Sequence, residues 1–346
     1  NTILADIRVN QLPTTSQLAA FAYYPSSSVG GDVFVDNRTT EFAKGGYNYF
    51  TLVHELGHAL GLKHPFEGAN RLPSNQDNTV TSVMSYTVYQ YLQPIFKQVG
   101  RSLTVEYDTI MPTMCMVNDI AALHSIYGAQ LTTHSENTVY RFLPSGASQA
   151  SAELNTIMIS LPSYTTIWDA GGTDTLDFSA TSLPNRIDLT SGNYSNIQVA
   201  TVDEQIISQQ QSTQAQLSTG FYNSFIAESF QKYAGDIYTG ERALGIAYGV
   251  VIENVLGGSA NDMIVDNFVD NRLFGGAGDD AFYLGAGGYD HTDGGEGKDT
   301  LFLSSNSSQA QWIRLSADTS LLLTERVAVE LVGVEQVQFT DKLITI

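Results

Sequence analysis

Three of the chain's six histidines fall in one short run, Thr51-Leu-Val-His-Glu-Leu-Gly-His-Ala-Leu-Gly-Leu-Lys-His64. His54 and His58 are four residues apart, which on a helix sets both imidazoles on one face, about one turn apart. Gly61 can take the left-handed backbone that ends a helix and turns the chain, so His64 comes back toward the same point. Three neutral imidazoles, one free coordination position and the adjacent Glu55 make the donor set of an open zinc site, where bound water is activated and Glu55 takes its proton. A closed structural site would need a fourth ligand, usually Cys, and none is nearby. Half of all the histidines in one window argues against an amphipathic helix that merely happens to carry them.

Such a site needs a helix that starts near Asn48 and stops at Gly61. Leu52, Val53, Leu56 and Leu60 would face a core. Gly57 inside it costs ~1 kcal/mol against Ala and so signals close packing. Before the helix, Ile3 to Val9 and Asp32 to Val35 read as strands, Leu18 to Tyr24 as an apolar run and Ser26 to Gly31 as a loop. Asp32 to Asp36 is either an edge that pairs with an extended substrate or an ordinary edge strand. After it, an irregular polar segment runs from Pro65 to Thr81. Tyr89 and Tyr91 line a cleft or pack beneath it. Met111 to Tyr127 reads as a helix closed by Gly128. Its Met111, Met114 and Met116, and Cys115, are core or pocket lining rather than metal ligands.

Beyond residue 130 the character changes. Asp169 and Asp174 flank Gly171 and Gly172, a turn that could gather carboxylates and carbonyls around a hard cation. Asp203 to Gln216 is Gln- and Ser-rich and reads as a surface insertion; Phe221 to Tyr233 could be a helix. From Gly257 a nine-residue repeat runs to Phe302, with one extra residue at Leu284. Its template is G-G-x-G-x-D-x-U-x, with U apolar. Asp262, Asp280, Asp290 and Asp299 hold the acidic position, and Asn271 replaces it in a degenerate copy, Asp266 to Phe274. Ile264, Leu273, Phe282 and Leu301 keep the apolar phase, which Thr292 breaks. A flexible acidic linker has no reason to keep such a phase. Stacked turns of this kind sandwich Ca²⁺ in a parallel β-roll.

The net charge is −20 and the sequence pI is about 4.4. A chain this acidic is a poor partner for nucleic acid or anionic membrane and a good host for divalent cations. No apolar run is long enough to span a bilayer. With Cys115 alone, no intramolecular disulfide forms, so stability rests on packing and metal ions.

The histidine run has the H-E-x-x-H-x-x-G-x-x-H pattern of the metzincin peptidases, and most of the chain resembles their serralysin branch of bacterial zinc metalloproteases. The likeness covers Thr51 to Pro65, Ser82-Val-Met-Ser-Tyr86, Asp119-Ile-Ala-Ala122 with Ile126-Tyr-Gly-Ala129, Trp168 to Ser179 and Ile252-Glu-Asn254 leading into the repeats. The resemblance implies an α+β chain. A metzincin domain over residues 1–130, with a mixed sheet and active-site helix, precedes an all-β domain over 131–346 with a parallel β-roll. The family's usual first strand, helix and second strand are not matched at the front. It implies zinc on His54, His58 and His64, Glu55 as general base, Met84 as an apolar floor beneath the imidazoles, and Tyr86 contacting zinc or the reacting carbonyl oxygen. It implies structural Ca²⁺ held by Asp169, Gly171 and Asp174, by Glu253, Gly258, Ala260 and Asp262, by Gly276, Gly278 and Asp280, and by Gly295, Gly297 and Asp299, with Asp290 in the same role. The expected partners are protein or peptide substrates, a type I secretion apparatus that reads an uncleaved C-terminal signal, and a proteinaceous inhibitor. The expected state is a secreted, extracellular monomer that contacts neither nucleic acid nor membrane. The departures are a shortened segment from His64 to Met84, a lengthened 203–245, and His134 and Glu136 where the family has a basic residue and a glycine. The reading from another class is a calcium-dependent extracellular binding module, or a fragment, that keeps a zinc site without useful turnover.

Overall fold

The helix that carries His54 and His58 forms over Tyr47–Ala59 (α1) in the computed structural model, which describes residues 7–13, 18–25, 29–36, 38, 41–144, 147, 154–316 and 318–346. The front of the first expected strand and part of the 26–31 loop lie outside the described residues. The chain divides into two compact units, residues 1–129 with 163–166 and 201–239, and residues 130–162 with 167–200 and 240–346. The helical stretch 201–239 thus belongs with the first unit, where a division at residue 130 would assign it to the second.

In the first unit, strands Arg8–Leu12 (β1), Ala20–Ala22 (β2) and Asp32–Asp36 (β3) form a mixed sheet. β3 lies in the middle, parallel to β1 and antiparallel to β2. It is therefore not the edge strand expected at Asp32–Asp36, since both its sides are already paired. The Arg8 guanidinium grips the Asp32 carboxylate through two hydrogen bonds of 2.8 and 2.9 Å. Val33 and Val35 bury against Ala59, Leu52 and Leu56 of α1. α1 ends as its spacing predicts: Gly61 has φ +94°, and Leu62 N donates to Gly57 O at 2.9 Å. Phe50, Leu62, Val80, Val83, Met84, Ile110, Met111, Met116 and Tyr164 form the core under this helix, with Tyr89 and Tyr91 packed against it. Those two tyrosines are packing residues.

The expected helix over Met111–Tyr127 is shorter, Val117–Tyr127 (α2). The Asp119 carboxylate accepts the Met116 N–H at 2.9 Å and caps the helix there. Strands Leu92–Val99 (β4) and Ser102–Thr109 (β5) pair as a hairpin. The expected surface insertion at Asp203–Gln216 is instead a 16-residue helix, Val202–Leu217 (α3), followed by Asn223–Gln231 (α4). α3 begins in a reciprocal cap between Thr201 and Glu204. Ile206, Ile226, Phe230 and Ile237 bury with Leu92, and Phe96, Leu103 and Tyr107 of the hairpin pack on them.

The described secondary structure of the second unit is almost all β. Strands Thr175–Asp177, Asn254–Leu256, Arg272–Ala277 and Tyr289–Glu296 run parallel in one sheet. Arg186–Asp188, Met263–Val265, Ala281–Leu284 and Thr300–Leu303 run parallel in another. From Asn254 to Leu303 the chain alternates between the sheets, strand by strand, as a parallel β-roll. The apolar repeat positions are in register: Val255, Leu273 and Thr292 in one sheet, Ile264, Phe282 and Leu301 in the other. All six are fully buried.

Candidate metal centre

α1 brings His54 and His58 to one face, and the turn at Gly61 returns His64 to them. One ligand atom from each lies within 4.8 Å of the others. Each imidazole is held through its Nδ1. His54 donates to Val83 O at 2.8 Å, His58 to Leu62 O at 2.8 Å and His64 to the Glu67 carboxylate at 2.9 Å. An Nδ1–H that donates leaves Nε2 with a bare lone pair. Nε2 of His58 and Nε2 of His64 then face each other at 3.1 Å. Two lone pairs that close repel unless a cation lies between them, and tetrahedral zinc would set such nitrogens ~3.4 Å apart. Burial pushes the His54 imidazole down to about 4, so it is neutral and ready to ligate over the physiological range. The residues fit zinc.

Glu55 is buried beside them, and burial pushes its carboxyl up to about 7. That suits a group that must both accept and return a proton. Tyr86 is 66 % exposed, with its ring 4.5 Å from that of His64 and 5.6 Å from that of His54. Met84 is buried in the core beneath α1. The turn that carries Met84 and Tyr86 is fixed by Asp119 of α2, which accepts from Ser82 Oγ at 2.6 Å and Val83 N at 2.7 Å. Asp119 therefore ties the carbonyl that holds His54 to the second helix.

Four residues of the centre were not singled out from the sequence. Glu67 anchors His64. Phe66 stacks on the His64 ring at 5.0 Å and 4°. Tyr24 meets His58 edge-on at 5.3 Å. Asp119 fell inside a matched segment, but no role followed from that. The first two lie within three residues of His64, and their neighbourhood to a ligand is the one signal that could have drawn attention to them.

The acidic residues of the second unit fall into two kinds. Asp174, Asp280, Asp290 and Asp299 are buried, and each keeps an Oδ2 with no hydrogen-bond partner. Burial, with neighbouring carboxylates, pushes the first three up to about 7 and Asp299 to about 6. An orphaned, buried carboxylate oxygen is a fit for a hard cation. Asp262 and Asp169 differ. Asp262 accepts from Asn185 N and Gly258 N, and Asp169 from Tyr140 Oη and Gly171 N. Glu253 accepts from Asp174 N at 2.7 Å. Gly276, Gly278, Gly295 and Gly297 have positive φ. A Cβ on Gly295 would fall 2.0 Å from Gly276 O, so the stacked turns there admit only glycine. Ala260 lies under Gly278 in the same stack.

A family model described as peptidase M10 serralysin C terminal matches residues 129–209 and 232–319. The unmatched interval between them, residues 210–231, holds the second half of α3 and all of α4. Serralysin G of Dickeya chrysanthemi is 33 % identical over 275 residues, covering 75 % of this chain and 46 % of that protein. Serralysin C of the same organism is 33 % identical over 254 residues, covering 71 % and 43 %. Metallopeptidase AprA of Pseudomonas marginalis is 32 % identical over 273 residues, covering 74 % and 46 %. The chain spans about half the length of these curated relatives. Among the described residues, no helix is long and apolar enough to cross a membrane.

Proposed function

The chain belongs to the serralysin family, and on that premise we propose that it is a zinc-dependent endopeptidase that hydrolyses internal peptide bonds of proteins. The observation that carries this reading is the convergence of three Nε2 lone pairs, each imidazole anchored through Nδ1, beside a buried carboxylate. Zinc, when bound, would supply Lewis acidity toward the scissile carbonyl and toward water. Glu55 takes the proton of the attacking water, and its raised pKa lets it hand that proton to the leaving amine. The exposed Tyr86 phenol, beside His64 and His54, donates a hydrogen bond to the oxyanion that develops on the carbonyl. Substrate backbone pairs along β2 rather than β3. β2 is at the edge of the described sheet, and it leads directly to Tyr24 against His58.

Calcium is the second cofactor in this reading, supported by the orphaned oxygens of Asp174, Asp280, Asp290 and Asp299. Bound calcium stiffens the roll. Family membership further supports a secreted protein that acts outside the cell, delivered by a type I exporter and open to a proteinaceous inhibitor. The test is cleavage of an unfolded protein substrate in calcium, with and without o-phenanthroline. Phenanthroline-sensitive cleavage that is lost in Glu55→Gln is the expected result. Stoichiometric zinc with no cleavage would turn the reading toward a binding module.

A further inference from the structure

The turn at 266–271, Asp-Asn-Phe-Val-Asp-Asn, is built differently from the three that follow it. In turns 275–280, 285–290 and 294–299 the sixth residue is an aspartate. Its Oδ1 accepts the N–H of the sixth residue one turn back: Asp262 to Asp280 at 2.7 Å, Asn271 to Asp290 at 3.0 Å, Asp280 to Asp299 at 2.8 Å. Its Oδ2 is buried without a partner. In 266–271 the sixth residue is Asn271, also buried. Its Oδ1 accepts from Asn267 N at 3.2 Å. Its Nδ2 donates to Glu253 O at 3.1 Å, to Ile252 O at 3.4 Å and to Asn267 Oδ1 at 3.1 Å. Asn267 Nδ2 donates to Ile252 O as well, at 2.8 Å. The opposite amide orientation would set the Asn271 oxygen against two carbonyl oxygens and its NH₂ against an N–H, so the network itself fixes it.

The carbonyls of Ile252 and Glu253 are the acceptors a hard cation would seek in that rung. Here they are filled by amide N–H groups. On its other side the turn is tied down by carboxylates. Asp266 accepts from Gly285 N at 2.8 Å and Ala286 N at 3.1 Å, and Asp270 accepts from Tyr289 N at 2.7 Å. The residues present therefore do not fit calcium, although the repeat would place an ion there.

We propose that turn 266–271 is a calcium-independent clasp, in which the side-chain amides of Asn267 and Asn271 stand where neighbouring turns hold a cation. It rests on the calcium reading of the roll given above. The clasp holds the turn that ends at Glu253 to the turn that ends at Asn271 whether or not the ion concentration is high, and it interrupts this row of cation sites.

Calcium bound per purified chain, measured by atomic emission after equilibrium dialysis, tests the clasp, together with thermal melts in calcium at pH 7.5 and in metal-free buffer at pH 5. Asn271→Ala and Asn267→Ala are expected to bind as many ions as the parent and to melt lower in both buffers. Asp280→Asn is expected to bind fewer ions and to melt lower only in calcium. Loss of an ion in Asn271→Ala, or a melting decrease confined to calcium, overturns the clasp and leaves the roll reading intact. Should Asn271→Ala not fold, Asn267→Ala reads out the same contact with Asn271 in place. A parent that binds no calcium overturns the roll reading instead; the clasp then stands or falls on the metal-free melts.

Discussion

A Cβ on Gly57 would lie 2.4 Å from Sδ of Met84, a side chain that is 1 % exposed. The helix that carries two of the three histidines thus rests on the turn that holds one of them, with no room for a methyl group between. Gly57→Ala gains ~1 kcal/mol of helix propensity, but overpacking a closed core costs ~1–3 kcal/mol. The steric term is expected to win. It should lower Tm by about 2–4 °C per kcal/mol of net loss, and weaken zinc binding through the His54–Val83 contact. An unchanged melt and zinc affinity would mean that Met84 moves aside freely.

Glu55→Gln keeps the volume and removes the base. It is expected to retain zinc, because Glu55 is not among the three ligands, and to lose ~10²–10⁴-fold or more in kcat. The wild-type rate should fall as pH drops, because only ionised Glu55 accepts the proton. Bound zinc, being cationic, holds that carboxyl below the value of about 7 set by burial, so the acid limb of kcat/KM should lie below pH 7. A limb that persists unchanged in the residual activity of Glu55→Gln would assign it to another group.

Much of the centre could be read from spacing, because its geometry is local. Four residues bring His58 under His54, and Gly61 turns the chain back to His64. The roll was legible for the same reason, since a nine-residue phase repeats one local geometry. What was not legible depends on distant neighbours. Asp32–Asp36 announces a strand, but only β1 and β2 decide that it lies inside a sheet. α3 hides because only Ile206 and Thr213 of its sixteen residues are buried, so no apolar stripe marks it; the Thr201–Glu204 cap was the available signal. The helix expected from Met111 begins late because Asp119 caps it at Met116, a role visible only once the Ser82–Val83 turn lies beside it.

Glu67 is the one side-chain carboxylate that holds a ligand imidazole; His54 and His58 are held by backbone carbonyls. Glu67→Ala should therefore loosen the ligand that lies outside α1, lowering zinc affinity ~10–100-fold. Glu67→Gln keeps an acceptor for Nδ1–H and should lose less. Competition with a chromophoric chelator measures both. Equal affinity in all three proteins would show that Phe66 stacking alone fixes His64.

Stability of the roll without metal should fall as pH rises from about 4 to 7. Asp174, Asp280 and Asp290 are pushed up to about 7 and Asp299 to about 6, with burial the first cause. In the unfolded chain the same groups titrate near 4. Between those limits the folded state binds more protons than the unfolded one, so raising pH costs stability. Metal-free protein should melt higher at pH 5 than at pH 7.5. Calcium inverts the order, because it binds the ionised carboxylates; each site contributes ~2.7 kcal/mol when free calcium is a hundred times its Kd. Paired melts at the two pH values, with and without calcium, read this directly. A metal-free melting temperature that rises across the window, or one that calcium does not change at pH 7.5, would remove these four aspartates from any cation site.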